Sequence, residues 1–214
     1  MFAAVPSHDP SKARCREEVA VIKKIFLFVI LLIVVCVGAV LAMAMTKPNT
    51  YHVERKATIA ASPETVFPMI NNLHTWQEWS PWEHLDPNMK REFSGPDAGV
   101  GSAYAWSGID KVGTGKMTIT ESQPNSRIAV RLDFEKPFQA SDQVAFDLQP
   151  SAAGTEVTWS MSGNHNMMSK VMCVFTSMDA MIGPDFERGL GTLKTVAESA
   201  PPAAAMDSTA TMKK

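Results

Sequence analysis

The chain has 214 residues, 45% of them hydrophobic and 20% charged, with a formal net charge of −2. That balance fits a globular protein and excludes a disordered one. It gives no electrostatic reason to expect a nucleic acid or an acidic polymer as partner.

Residues 1–24 read as a cytoplasmic extension without a fold. Ile25–Met45, IFLFVILLIVVCVGAVLAMAM, carries no charge. At 1.5 Å per helical residue it spans roughly 31 Å, close to the hydrocarbon thickness of a bilayer, so a transmembrane helix is expected. A cleaved signal peptide is the rival, because Ala42–Ala44 (AMA) is a passable small-residue cleavage pattern. The apolar run is longer than a usual signal core and a long segment precedes it, which favours an uncleaved anchor. Lys12, Arg14, Arg16, Lys23 and Lys24 lie before the helix, and Lys47, Arg55 and Lys56 after it. That asymmetry puts the N-terminus in the cytoplasm and the rest of the chain outside an inner (cell) membrane.

Residues 46–50 form a linker, 51–199 one domain, and 200–214 a small, polar, disordered tail. The domain opens on YHVERKATIA, which alternates as a strand does. Ser62 then reads as a helix N-cap, with Pro63 at the first helical position. NLHTWQEWSPWEHLDP follows, with a short helix from Leu73 to Trp79 stopped by Ser80-Pro81. Six further strands are expected from KREFS, VGSAYAWSG, GKMTITES, RIAVRLDF, QVAFDLQ and TEVTWSMS, with turn residues between them. Their clean alternation predicts an antiparallel sheet with one face on a core. The period then changes. Met168, Met172, Phe175 and Met178 give one helix, broken at Gly183-Pro184, and Phe186, Leu190, Leu193 and Val196 give a second.

This order of elements, and the stretches ASPETVFPMINNLHTWQEWSPWEHLDPN, FSGPDAGVGSAYAWSG, GTGKMTITESQPNSRI, LDFEKPF, GTEVTWSMSG and MDAMIGPDFERGLGTLK, resemble the START-like (SRPBCC) superfamily. The branch is the polyketide cyclase/dehydrase-like one, and the resemblance covers Tyr51 to Ser199. It implies an α+β helix-grip fold, a curved antiparallel sheet of about seven strands wrapped on a long C-terminal helix. It also implies a cavity for lipids, sterols, polyketides or other apolar molecules. The anchor before the domain is similar to members of this branch.

No catalytic constellation stands out. His74 and Glu78 are spaced i, i+4 and are read as a surface pair, with no third ligand for a metal. Asp86-Pro87 starts a turn. Asp133 and Glu135 flank Phe134 and so face away from the inner surface. Cys15, Cys36 and Cys173 are too scattered for a disulfide framework or a zinc site, and Cys173 reads as packing. No cofactor is indicated.

Trp76 and Trp79 are read as a plug at one end of the core, with their indole N–H groups on nearby carbonyls. Trp82, in the loop after them, is the better ligand contact. By alternation Tyr104, Trp106, Met117, Phe134, Phe146, Trp159 and Met161 face inward, and Met172 and Phe175 are expected to meet them from the helix. A surface so rich in methionine and large rings suits an adaptable apolar cavity. Tyr104, Trp106 and Trp159 offer donors for a polar head. Three functions follow: a membrane-anchored binding module for a hydrophobic small molecule or lipid, a cyclase or dehydratase, or an interaction domain with a filled core. A hollow apolar interior favours the first, a hollow with a buried ionisable group the second, and a filled one the third.

Overall fold

The computed structural model describes residues 10–201, with side chains from residue 22 onward. The first nine residues of the expected extension, the side chain of Cys15 and the tail from residue 202 lie outside the described residues. The chain divides into two units, Met1–Lys47 and Pro48–Lys214. The first contains helix α1, Pro10–Met45, which begins upstream of the apolar run. Its stretch Ile22–Met45 is long and apolar enough to cross a membrane, with a mean hydropathy of 3.4. A signal sequence meets the same description.

The second unit is built on seven strands: β1 Thr50–Ile59, β2 Lys90–Ser94, β3 Ala103–Ser107, β4 Thr114–Gln123, β5 Arg127–Lys136, β6 Ala140–Ser151 and β7 Gly154–Asn164. They form one antiparallel sheet in the order β1-β7-β6-β5-β4-β3-β2. Helix α2, Pro63–Asn71, and a 3-10 turn, Leu73–Glu78, fill the connection from β1 to β2. Helices α3, Met167–Phe175, and α4, Met178–Ser199, end the unit. This is the expected helix-grip architecture.

Register places the inner residues in rows. Val53 pairs with Met161, Met161 with Val144, Val144 with Val130, and Val130 with Ile119. In the next row Trp159 pairs with Phe146 and Phe146 with Ile128. Two residues along a strand return to the same face, so both rows look at α4. Phe186, Leu190, Leu193 and Ala197 of α4 are buried against them.

The helical break falls elsewhere than the sequence suggests. The chain stops at Thr176, which is extended, and restarts at Ser177, whose hydroxyl caps the Ala180 N–H at 3.0 Å. α4 then runs straight through Gly183 and Pro184. Arg55 supplies the reason. It donates to Asp179 at 2.6 and 3.0 Å and to Glu187 at 2.6 Å, gripping α4 across its first turns. A Cβ on Gly183 would stand 2.0 Å from the Arg55 guanidinium, so this glycine admits the clamp rather than breaking the helix. The break at 176–177 also uncouples the phase of α3 from that of α4. Cys173 is the residue α3 buries, while Met168, Met172 and Phe175 face outward, Phe175 at 75% exposure. The expectation that Met172 and Phe175 meet the sheet is corrected by this break, because their stripe was read as continuous across it.

Candidate functional site

Between the sheet and the first half of α4 lies a cavity of ≈ 190 Å³. Sheet residues Tyr104, Trp106, Met117, Val130, Leu132, Phe134, Val144, Trp159 and Met161 line it. The β1–β2 connection adds Trp76, Ser80, Trp82, Glu83 and Met89, and α4 adds Ile182, Asp185 and Phe186. An apolar cavity of ~150 Å³ already holds a benzene ring, so this one accepts a small ring compound or a segment of a longer chain.

Rigid rings set its walls. Trp159 stacks on Phe186 with centroids 4.2 Å apart and planes 8° from parallel. Trp79 and Trp82 meet Trp159 edge-on at 5.5 and 5.8 Å. Such pairs add about 0.5–1.5 kcal/mol each beyond burial, which holds the frame open against collapse. Gly115 is required here, because a Cβ on it would come within 2.6 Å of the Trp106 ring.

The opening tryptophans can now be placed. Trp76 donates to the carbonyl of Ile70 and Trp79 to that of Met69, each at 2.9 Å. Both pin the 3-10 turn to the end of α2, and Trp76 also reaches the cavity. Trp82 is half-buried in the wall and meets both Trp159 and Phe186 edge-on. Of the other residues singled out from sequence, Tyr104, Trp106, Met117, Phe134, Trp159 and Met161 are brought together around the hollow. Phe146 is fully buried behind it, packed on Trp76, Trp79 and Trp159. Met172 and Phe175 stand on the outer face of α3, away from it.

Several lining residues escaped the sequence reading, among them two ionisable ones, Glu83 and Asp185. Glu83 is the deeper of the two in its surroundings, with its side chain 5% exposed. The Tyr104 hydroxyl donates to its Oε1 at 2.7 Å, and Arg91 Nε donates to its Oε2 at 2.8 Å. Arg91 also bonds the Glu83 carbonyl at 2.9 Å. Burial first, and then the bond to Glu83, push the Tyr104 hydroxyl well above its ordinary pKa. The Tyr104 proton is therefore committed to Glu83, and the Trp106 N–H to the Val112 carbonyl at 3.2 Å. Neither is a spare donor, contrary to expectation. The only forewarning in the sequence is that an inward tyrosine needs an acceptor, and the acidic residue that supplies it is in a distant loop.

Asp86 is buried too, but outside the cavity wall. It accepts from the Asn88 and Ile109 N–H groups at 2.9 Å each, tying its own turn to the β3–β4 loop. His74 stacks on Phe93 at 3.9 Å. Asp133 bonds Arg131 and Ser141 on the outer face. Among the described residues no three His, Cys, Asp or Glu side chains come together as a metal site.

The fold is a helix-gripping sheet around an apolar hollow, and sequence comparison supplies its family. Residues 50–198 match the family described as polyketide cyclase / dehydrase and lipid transport, and the chain belongs to it. No curated protein matches the chain. Solved structures share the fold. One from Mesorhizobium loti is 18% identical with a TM-score of 0.52, the match covering 71% of this chain and 99% of that one. One from Rhizobium leguminosarum is 12% identical with a TM-score of 0.53, covering 71% and 96%. The Aha1 dimer from Colwellia psychrerythraea is 19% identical with a TM-score of 0.51, covering 70% and 97%. In these proteins the matched domain makes up nearly the whole chain, so this fold forms without a preceding helix.

Proposed function

We propose that this protein is a membrane-tethered binding module for a small hydrophobic molecule or lipid segment. The observation that carries the reading is the apolar hollow between sheet and α4, walled by rings that cannot fill it. The family's description, which includes lipid transport, supports it. Trp82, Tyr104, Trp106, Met117, Phe134, Trp159 and Met161 are the proposed ligand contacts. Ile22–Met45 serves as an uncleaved anchor, with the N-terminus cytoplasmic and the domain outside. Tethering keeps the cavity close to a membrane source of ligand.

The test is native mass spectrometry on the segment from Pro48 onward, purified without detergent and then extracted with organic solvent. A co-purifying apolar molecule, or uptake of an apolar dye that is lost when Met161 is changed to Lys in a folded variant, supports the reading. A clean apo mass with no dye uptake rejects it and leaves an interaction domain. A cyclase or dehydratase is the second reading, favoured by Glu83 in the wall. Its two carboxylate oxygens already accept from Tyr104 and Arg91, so this anion serves first as a structural tie.

A further inference from the structure

The large apolar side chains that the second unit leaves in solvent are not scattered. Ile109 is in the β3–β4 connection and Phe138 in the β5–β6 turn. Met167, Met168, Met172 and Phe175 are on α3, and Met181 is near the start of α4. Strand register puts all of these segments at one end of the sheet. Thr50 pairs with Asn164, Phe134 with Ala140 and Ser107 with Thr114, so β7 ends there and both connections turn there. Among the described residues of this unit Val100, in the β2–β3 connection, is the one such side chain at the opposite end. The cavity reaches the same end. Val112, Phe134 and Ile182 line it, and the exposed Ile109, Phe138 and Met181 follow or precede them closely in the chain. Single exposed apolar residues need no explanation, but a group gathered at one end marks an interaction surface.

The charges among these side chains select the partner. Lys111 is two residues from Ile109, Lys136 two from Phe138, and Lys170 stands between Met168 and Met172. The arginines of this unit, Arg55, Arg91, Arg127, Arg131 and Arg188, all pair with carboxylates. These three lysines do not, and Lys170 donates instead to the neutral Asn49 side chain at 2.6 Å. Asp110 and Glu135 are the exposed acids beside them, and Lys90, at the start of β2, keeps the balance positive. Lysine is depleted where proteins meet proteins, but beside apolar side chains it suits a bilayer surface, where the chain buries its stem and its ammonium meets the headgroups. We infer that this end of the domain docks on a lipid surface with anionic headgroups. The inference goes beyond the tethered module proposed above, because a tether assigns no docking face, and it stands on the outer surface whether or not the cavity takes a guest.

The test is cosedimentation of the segment from Pro48 onward, which lacks the apolar helix, with mixed phosphatidylcholine–phosphatidylserine vesicles. Binding is expected, and Phe138→Ser with Phe175→Ser is expected to weaken it at least about tenfold. Val100→Ser removes a side chain as exposed as Phe138, 59% against 51%, and is expected to change nothing. Lys111→Gln and Lys136→Gln are each expected to weaken binding about fivefold at low salt on the mixed vesicles, and to have no effect on phosphatidylcholine alone. If the double serine variant does not fold, the lysine variants decide. Failure of the unaltered segment to bind the mixed vesicles overturns the inference, as does an equal loss in Val100→Ser. Self-association in analytical ultracentrifugation that the double serine variant abolishes, without vesicle binding, gives the surface to a second copy of the chain and overturns it too.

Discussion

Glu83→Gln separates a structural carboxylate from a catalytic one. In the protein Glu83 accepts one bond from Tyr104 at 2.7 Å and one from Arg91 at 2.8 Å, with its side chain 5% exposed. Glutamine keeps the shape but removes the charge, and its amide nitrogen cannot accept from Arg91. Losing one partner of a fully buried pair costs about 3–5 kcal/mol. The Arg91 side chain is 23% exposed and recovers some hydration, so the expected loss is smaller, about 2–3 kcal/mol. For a domain of this size that is a fall in melting temperature of roughly 4–12 °C. Urea unfolding followed by circular dichroism on the segment from Pro48 onward measures it, with Tyr104→Phe as a milder companion at about 1 kcal/mol. An active-site group held at a cost to the fold gives the opposite sign, because its removal stabilises. An unchanged or raised stability in Glu83→Gln therefore refutes the structural assignment and brings the enzyme reading forward.

Ile182 lines the cavity from α4, so Ile182→Trp is expected to fill it; dye uptake should be lost while unfolding free energy changes by no more than about 1–2 kcal/mol. Gly191 has open space around a Cβ whereas Gly189 would press on Trp159, so Gly191→Ala should stabilise by about 0.5–1 kcal/mol and Gly189→Ala should not, as paired thermal melts would show. Burial raises the pKa of Asp142 above that of an exposed carboxyl, outweighing the lowering effect of the neighbouring Tyr51 hydroxyl. The folded state then holds its proton more tightly than the unfolded one, so this stabilisation is full below the unfolded value and is lost as pH rises through the raised one. Asp142→Asn should flatten that decline, seen as urea midpoints that converge on the wild type in acid and exceed it at neutral pH.

Legibility followed the range of the interactions. The strands were readable because alternation is local, and Val144, Phe146 and Leu148 all fall on the inner face as their spacing requires. The apolar run from Ile25 to Met45 was equally plain. The helix break was not, because Gly183 answers to Arg55 on a strand far away in sequence, and no local rule anticipates that contact. Glu83 was hidden for the same reason. It lies in a loop beside His84 and Asp86, and only the folded register of β3 brings Tyr104 to it. The donor roles of Tyr104 and Trp106 failed with it, since whether a buried N–H or O–H is spare depends on partners the sequence does not display.

Why the interior stays hollow can be argued from how α4 is tied down. Its second half is packed, with Leu190, Leu193 and Ala197 all buried, and Lys194 and Glu198 reach the Thr58 carbonyl at 2.6 Å and the Ala60 N–H at 2.7 Å. Its first half rests instead on Arg55, whose bonds to Asp179 and Glu187 hold the helix by polar contacts. Beneath that half lie Ile182, Asp185 and Phe186, the residues that roof the cavity. The second half of the helix thus supplies most of its apolar burial, while the first, held by polar contacts, buries Phe186 alone among its large apolar side chains. Flexible Met89, Met117 and Met161 in the wall then let the hollow adjust to a guest without disturbing the packed end. Such a division allows a binding site to coexist with a stable core in one small domain.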